Sequence, residues 1–98
     1  MDVTFGDADL DRLETDACFA MGLPDGVVKA YRKRLQQIRA ARDERDLRAL
    51  ASLHFEKLKG KRQGQHSVRL NDRYRLVFVL EASRNRQRVR ILSIEDYH

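Results

Sequence analysis

The last three residues of the chain, Asp96, Tyr97 and His98, bring a carboxylate, a phenol and an imidazole together directly after an apolar strand. Chain ends usually fray, so three groups able to move protons at this position indicate an end that is held in place and used. The alternative is a polar cap on a strand end. If the backbone stays extended, Asp96 and His98 project to one side and Tyr97 to the other.

A basic segment precedes this strand, between His54 and Arg75. Strand alternation directs Arg69, Arg73 and Arg75 away from the neighbouring apolar side chains, which predicts a row of cations on the exposed face of a sheet. Such a row is typical of a surface that binds a polyanion, although binding does not imply cleavage. The same segment contributes three further candidates for contact with RNA: Lys57, Lys61 and Arg62.

These residue types match the needs of RNA cleavage without a metal. The reaction requires a base for the 2′-hydroxyl proton, an acid for the 5′-oxygen leaving group, cations for the transition state, and a group that holds the nucleotide in line. For His54, which follows a predicted helix end, capping is an equal alternative to catalysis. For His66, a structural or stacking role is favoured. The candidate catalytic residues are His98, Tyr97, Asp96, Arg75, Lys59 and His54.

No metal site and no cofactor are predicted, because the three histidines are far apart in sequence and Cys18 lies in an apolar run. A buried structural thiol is the expectation for Cys18, and a single cysteine favours a reducing cytosol. No apolar run is long enough to span a bilayer, and the N-terminus does not resemble a signal peptide. We therefore expect a cytoplasmic protein without a membrane partner.

The charge of the chain is distributed unevenly. The 98 residues carry a formal net charge of +5, yet residues 1–26 hold seven acids and one base, and the remainder holds nineteen bases and eight acids. This asymmetry indicates a body that faces a polyanion, with nucleic acid as the natural candidate and a merely soluble charged surface as the alternative. The length fits one small domain over residues 1–98.

The periodicity of apolar residues predicts helices first and strands second. Val28, Tyr31, Leu35 and Ile38 mark one face of a helix over about residues 25–42. The sequence further predicts an edge strand at 3–5, a helix capped by Asp7 or Asp9, a second helical piece near 47–51, strands at 67–70, 73–80 and 89–94, and a hairpin loop at 82–87. The result is an α+β fold in which N-terminal helices pack on one face of a small antiparallel sheet.

Three segments together resemble the HigB toxins of the RelE/ParE superfamily. They are residues 53–60 (LHFEKLKG), 64–76 (GQHSVRLNDRYRL) and 94–98 (IEDYH), and the resemblance covers the C-terminal half most closely. It implies a RelE-like, microbial-ribonuclease-like fold and a ribosome-dependent endoribonuclease that cuts mRNA in the ribosomal A site. It also implies a HigA-type helix-turn-helix antitoxin as partner, with operator DNA bound only through the toxin–antitoxin complex.

The resemblance also assigns roles to residues. His98, Tyr97 and Asp96 match the terminal catalytic residues of the family, Arg75 matches the arginine that binds the scissile phosphate, and Lys59 matches the lysine of the Leu-Lys-Gly segment. Two other functions remain open. A ParE-like inhibitor of DNA gyrase would not need the three terminal side chains, and a non-catalytic RNA-binding regulator would depend on the arginines alone.

Overall fold

The computed structural model describes residues 1–96, apart from the side chain of Ser83. Its helices precede most of its strands, as the sequence predicts. In chain order the elements are β1 (Asp2–Phe5), α1 (Ala8–Thr15), α2 (Asp25–Ala40), α3 (Glu44–Ala49), a 3-10 helix (Ala51–Leu53), β2 (Glu56–Lys57), a second 3-10 helix (Gly60–Arg62), β3 (Gln65–Arg69), β4 (Tyr74–Ser83) and β5 (Arg86–Asp96).

The five strands form one sheet in the order β1-β5-β4-β3-β2. Strands β2 to β5 are antiparallel to their neighbours, whereas the predicted edge strand β1 runs parallel to β5. The sheet is therefore mixed rather than purely antiparallel. The predicted α+β arrangement, with helices on one face of the sheet, is confirmed.

The helices are positioned by caps and by one buried face. The carboxylate of Asp7 accepts the Leu10 N–H at 2.9 Å, so Asp7 rather than Asp9 caps α1. Helix α2 buries Val28 and Tyr31 together with other apolar residues of its predicted face. The Tyr31 hydroxyl donates to the Leu10 carbonyl at 2.7 Å, which joins α2 to α1 inside the core.

The two faces of the sheet differ in composition. The face covered by the helices contributes apolar residues to the core, among them Val68, Leu76 and Phe78. On the opposite face, which we call the far face, Ser67 pairs with Val77 and Arg69 pairs with Arg75 across β3 and β4. Directly paired residues of antiparallel strands share a face. The far face therefore carries Arg69 and Arg75, two of the arginines that the sequence singled out.

Two local predictions are wrong. Cys18 is exposed rather than buried, because it lies in the irregular segment after α1, where its N–H donates to the Asp16 carboxylate at 2.9 Å. The hairpin loop is shorter than predicted. Strands β4 and β5 pair as far as Ser83 and Arg86, and only Arg84 and Asn85 form the turn, both with positive φ. A two-residue turn of this kind usually contains glycine, so its sequence signal was weak.

Candidate active site

Arg75 lies on the far face of β4 and is buried, with only 7% of its surface exposed. Its Nε donates to the Ser67 hydroxyl at 2.8 Å, and its Nη2 donates to the main-chain oxygen of His54 at 2.5 Å. The prediction of an exposed row of cations is therefore wrong for Arg75, because the β3 strand and the segment at His54 enclose it. Its guanidinium is fixed in orientation by two different segments of the chain.

His54 lies at the end of the first 3-10 helix in the left-handed region, with φ 46° and ψ 55°. This conformation is sparsely populated for residues other than glycine and costs on the order of 1 kcal/mol. The His54 N–H donates to the Ala51 carbonyl at 3.2 Å, which confirms the capping interpretation for the backbone. The imidazole itself is exposed, so its catalytic role stays a prediction that capping does not exclude.

The imidazole of His54 faces a guanidinium. Its Nε2 lies 3.4 Å from Nη1 of Arg69. A guanidinium only donates hydrogen bonds, so a hydrogen bond in this contact requires the tautomer in which Nε2 accepts. An imidazole nitrogen with an available lone pair is the form that a general base requires.

These residues surround a shallow pocket of about 260 Å³, which we call the His54 pocket. Arg69 forms an ion pair with Asp72, whose side chain is 93% exposed. An ion pair this exposed contributes little stability, so an incoming phosphate could replace Asp72 at low cost. The walls of the pocket are formed by His54, Glu56, Arg69, Asn71, Asp72 and Arg75.

Glu95 is the β5 neighbour of Arg75 on the far face. Arg62 donates to its carboxylate through Nη1 at 2.6 Å and through Nη2, and the Ser93 hydroxyl donates to it at 2.7 Å. The hydrogen bond from Arg62 is the main cause that lowers the pKa of Glu95. Arg62 also donates to the Gln65 side chain at 3.1 Å. Since Gln65 is on β3 and Glu95 on β5, Arg62 bridges the two strands across β4.

Asp96 lies on the other side of the strand from Glu95. A bulge between Val77 and Phe78 inserts Leu92 into β5 and reverses the alternation after it, so Asp96 pairs with Tyr74. Asp96 therefore faces away from Arg75 and the far face. Its carboxylate accepts from Arg73 Nε at 2.8 Å, and this bond raises the pKa of Arg73. The predicted catalytic residues Tyr97 and His98 lie outside the described residues.

Comparison with known proteins identifies the family. The family described as the RelE-like toxin of the type II toxin–antitoxin system HigB matches residues 3–94. The chain belongs to the HigB-like toxin family. Toxin HigB-1 of Vibrio cholerae is 38% identical to this toxin over 56 residues, which are 57% of the present chain and 59% of that relative. The match thus spans about three fifths of the length of the relative.

Solved structures of other toxins have the same fold. The YoeB/ParE toxin from Agrobacterium tumefaciens has a TM-score of 0.59 and 19% identity, with both chains covered completely. A heterotetrameric YoeB-YefM toxin–antitoxin complex from Staphylococcus aureus gives a TM-score of 0.58 and 24% identity, covering all of this chain and 97% of that one. The predicted RelE-like fold is confirmed.

The basic residues of the toxin do not form one surface. Lys57 pairs with His66 and therefore lies on the helix-covered face, and Lys57 and Lys59 line a cavity separate from the His54 pocket. Lys61 is exposed on the second 3-10 helix, and Arg73 is exposed ahead of β4. The structure therefore brings His54, Arg69 and Arg75 together and leaves the lysines apart from them.

Three residues that bind the candidate arginines were not found from the sequence. Ser67 binds Arg75, Asp72 binds Arg69, and Glu95 binds Arg62. Ser67 could have been found from its spacing of two residues from Arg69, which places both on one face of a strand. Glu95 could not, because the bulge in β5 has no recognisable sequence signal. Within residues 1–96 no group of three or more histidine, cysteine or acidic side chains is arranged to hold a metal ion, and no helix is long and apolar enough to cross a bilayer.

Proposed function

We propose that residues 1–98 act as one toxin domain that cleaves mRNA in the ribosomal A site without a metal ion. The observation that supports this most strongly is the guanidinium of Arg75, held by Ser67 and by the His54 carbonyl at the wall of a pocket that the His54 imidazole also lines. A cation fixed in advance stabilises developing charge without the cost of reorganisation during the reaction.

The proposed reaction is attack of a ribose 2′-oxygen on the adjacent phosphorus. The 2′-hydroxyl loses its proton to a base, the bond from phosphorus to the 5′-oxygen breaks, and an acid protonates that oxygen. Arg75 and Arg69 stabilise the negative charge on the phosphate as the phosphorane-like transition state forms. Proton transfer is assigned to His54 together with the terminal residues Tyr97 and His98. Asp96, on the other side of β5 from Arg75, and Lys59, in a separate cavity, are assigned supporting roles outside the His54 pocket.

The size and charge of the His54 pocket support the proposed dependence on the ribosome. The pocket is shallow, and its two arginines are opposed by two carboxylates, Glu56 and Asp72. Such a site would hold free RNA weakly, so the ribosome would have to position the mRNA. The remaining basic residues proposed to contact RNA are Lys57, Lys61, Arg62, Arg69 and Arg73, and this contact should weaken steeply as salt is added.

We further propose that a HigA-type helix-turn-helix antitoxin binds this toxin in the cytoplasm and that operator DNA is bound only through the complex. The S. aureus YoeB-YefM complex, which shares the fold, supports an antitoxin partner. Co-expression with a small helix-turn-helix protein encoded beside the toxin gene tests this proposal. A stable complex that shifts operator DNA, which the toxin alone does not shift, is the expected result.

Primer extension on a defined mRNA in a purified translation system tests the cleavage. We expect new mRNA ends that require ribosomes, are lost in His98→Ala and are strongly reduced in Arg69→Ala. Arg88→Ala is the matched control, because Arg88 is a partly exposed arginine in an ion pair with Glu81 near the hairpin turn. Intact mRNA in every lane would refute the proposal, and inhibition of DNA supercoiling by gyrase would then identify the alternative function.

A further inference from the structure

We propose that a second cavity, beside the edge strand β2 on the helix-covered face, binds a nucleobase of the RNA substrate and its phosphate. The volume of this β2 cavity is about 620 Å³, which is within the usual range of roughly 300–1,000 Å³ for small-ligand sites. Its lining includes Lys57, Lys59, His66, Leu80 and Gln87. As a substrate subsite the cavity rests on the proposed ribonuclease function, but the binding itself can be measured without it.

His66 is the residue that first indicates a ligand. It is 8% exposed, and its Nδ1 has no hydrogen-bond partner within the part of the chain that the structure describes. The imidazole packs beside Phe55 and Phe78, with ring centroids 5.3 and 5.9 Å away, and the two phenylalanine rings also contact each other at 6.1 Å. Buried polar atoms in proteins nearly always have a partner. Because Nδ1 is itself enclosed, a ligand in the cavity would supply the missing hydrogen bond only after a shift of the His66 ring brings this atom to the cavity wall.

The chemistry of the other lining residues fits a nucleotide. Leu80 provides an apolar surface for the face of a base. The Gln87 side-chain oxygen accepts the Glu44 N–H at 2.9 Å, so the NH₂ group of this amide is the part that can meet a ligand. Lys57 and Lys59 are exposed and can hold a phosphate. The acid in the lining, Glu44, is already paired with Arg48 at 2.7 Å.

The position of the cavity also suits an RNA strand that passes through the His54 pocket. Strand β2 contains two residues, and they serve different sites: Glu56 lines the His54 pocket, and Lys57 lines the β2 cavity. Because β2 is at the edge of the sheet, no further strand separates the two sites on that side. An RNA chain with its scissile phosphate in the His54 pocket would cross this edge and place a neighbouring base against His66.

Amide and imidazole NMR spectra of the whole toxin, titrated with each of the four 5′-mononucleotides, test the inference. We expect saturable shifts at residues 57–60 and 66, and smaller shifts with inorganic phosphate alone. His66→Phe keeps the aromatic stack and should keep the thermal midpoint, yet lower nucleotide affinity at least tenfold. Lys57→Ala should weaken binding similarly, whereas Lys29→Ala, an exposed lysine on α2, should not.

Several outcomes would overturn the inference. Shifts confined to the His54 pocket, or equal shifts with inorganic phosphate, would exclude recognition of a base. Shifts at the cavity caused only by the antitoxin would make it a protein-binding surface. Cleavage of mRNA by His66→Phe at the same codons and rate as the wild type would exclude a substrate subsite, even if free nucleotides bound. Binding in the cavity by a toxin that leaves mRNA intact would refute the proposed function instead.

Discussion

Replacement of Arg75 by lysine should lower the stability of the folded toxin as well as the proposed cleavage activity. The guanidinium makes hydrogen bonds to the Ser67 hydroxyl and the His54 carbonyl at 2.8 and 2.5 Å. A lysine ammonium keeps the charge but lacks the planar fork, so we expect it to retain only one of these bonds. A hydrogen bond to a charged group contributes about 1.5–3 kcal/mol, so the free energy of unfolding should fall by about 2 kcal/mol. For a domain of this size the thermal midpoint should fall by roughly 8–16 °C.

Urea denaturation followed by circular dichroism measures this change. Arg88→Lys is the control, since its ion pair with Glu81 is partly exposed on both sides, and we expect a change within about 0.5 kcal/mol. Ser67→Ala removes one acceptor of Arg75 and should produce an intermediate loss. An unchanged urea midpoint in Arg75→Lys, with an unchanged slope, would refute the interpretation of Arg75 as an anchor. Cleavage by these variants should be compared only where each is folded.

Three further predictions concern stability. Arg62→Ala and Glu95→Gln should be coupled by up to about 1 kcal/mol in a double-mutant cycle. Arg62 lowers the pKa of Glu95 in the folded toxin. The coupling should therefore be present above the unfolded pKa of Glu95, about 4.3, and disappear as the pH falls through its folded pKa. Coupling that persisted below the folded pKa would contradict this prediction. Asp7→Ala should cost about 1 kcal/mol through loss of the α1 cap, and an unchanged urea midpoint would contradict this. Gly64→Ala should cost about 1 kcal/mol through its φ of 89° alone, since nothing lies within 4 Å of the added carbon, and a neutral change would show that the loop rearranges.

The sequence predicted the elements of this fold better than their relative placement. The spacing of Val28, Tyr31, Leu35 and Ile38 specified the buried face of α2, because helix periodicity is a local property. Helix α2 ends at Ala40 rather than near residue 42. The Arg42 N–H donates to the Asp46 carboxylate at 2.8 Å instead of to a helix carbonyl, and the periodicity of α2 carries no information about this contact with a residue beyond the helix.

The candidate site shows the limit of sequence reasoning more clearly. The sequence indicated which residue types and which segments form the candidate site. The face of the sheet on which each residue lies depends on strand register, and a shift of one residue moves every side chain of a strand to the opposite face. Before the bulge, Val89 and Ile91 face the core; after it, Glu95 shares the far face with Arg75. Simple alternation along β5 would place Asp96 there instead. The burial of Arg75 was equally unpredictable, because the carbonyl that holds it comes from 21 residues away.

The arrangement of cations suggests that the arginines and the lysines have different roles. Arg75, Arg69 and Arg62 each bind at least two groups of the toxin itself, so their positions are fixed within the fold. Lys57, Lys59 and Lys61 are exposed. Fixed cations suit stabilisation of a transition state, whose geometry is defined, whereas exposed lysines on flexible stems suit a polyanion whose path varies. Substitution of the arginines should therefore lower the rate of cleavage, and substitution of the lysines should lower affinity and its dependence on salt.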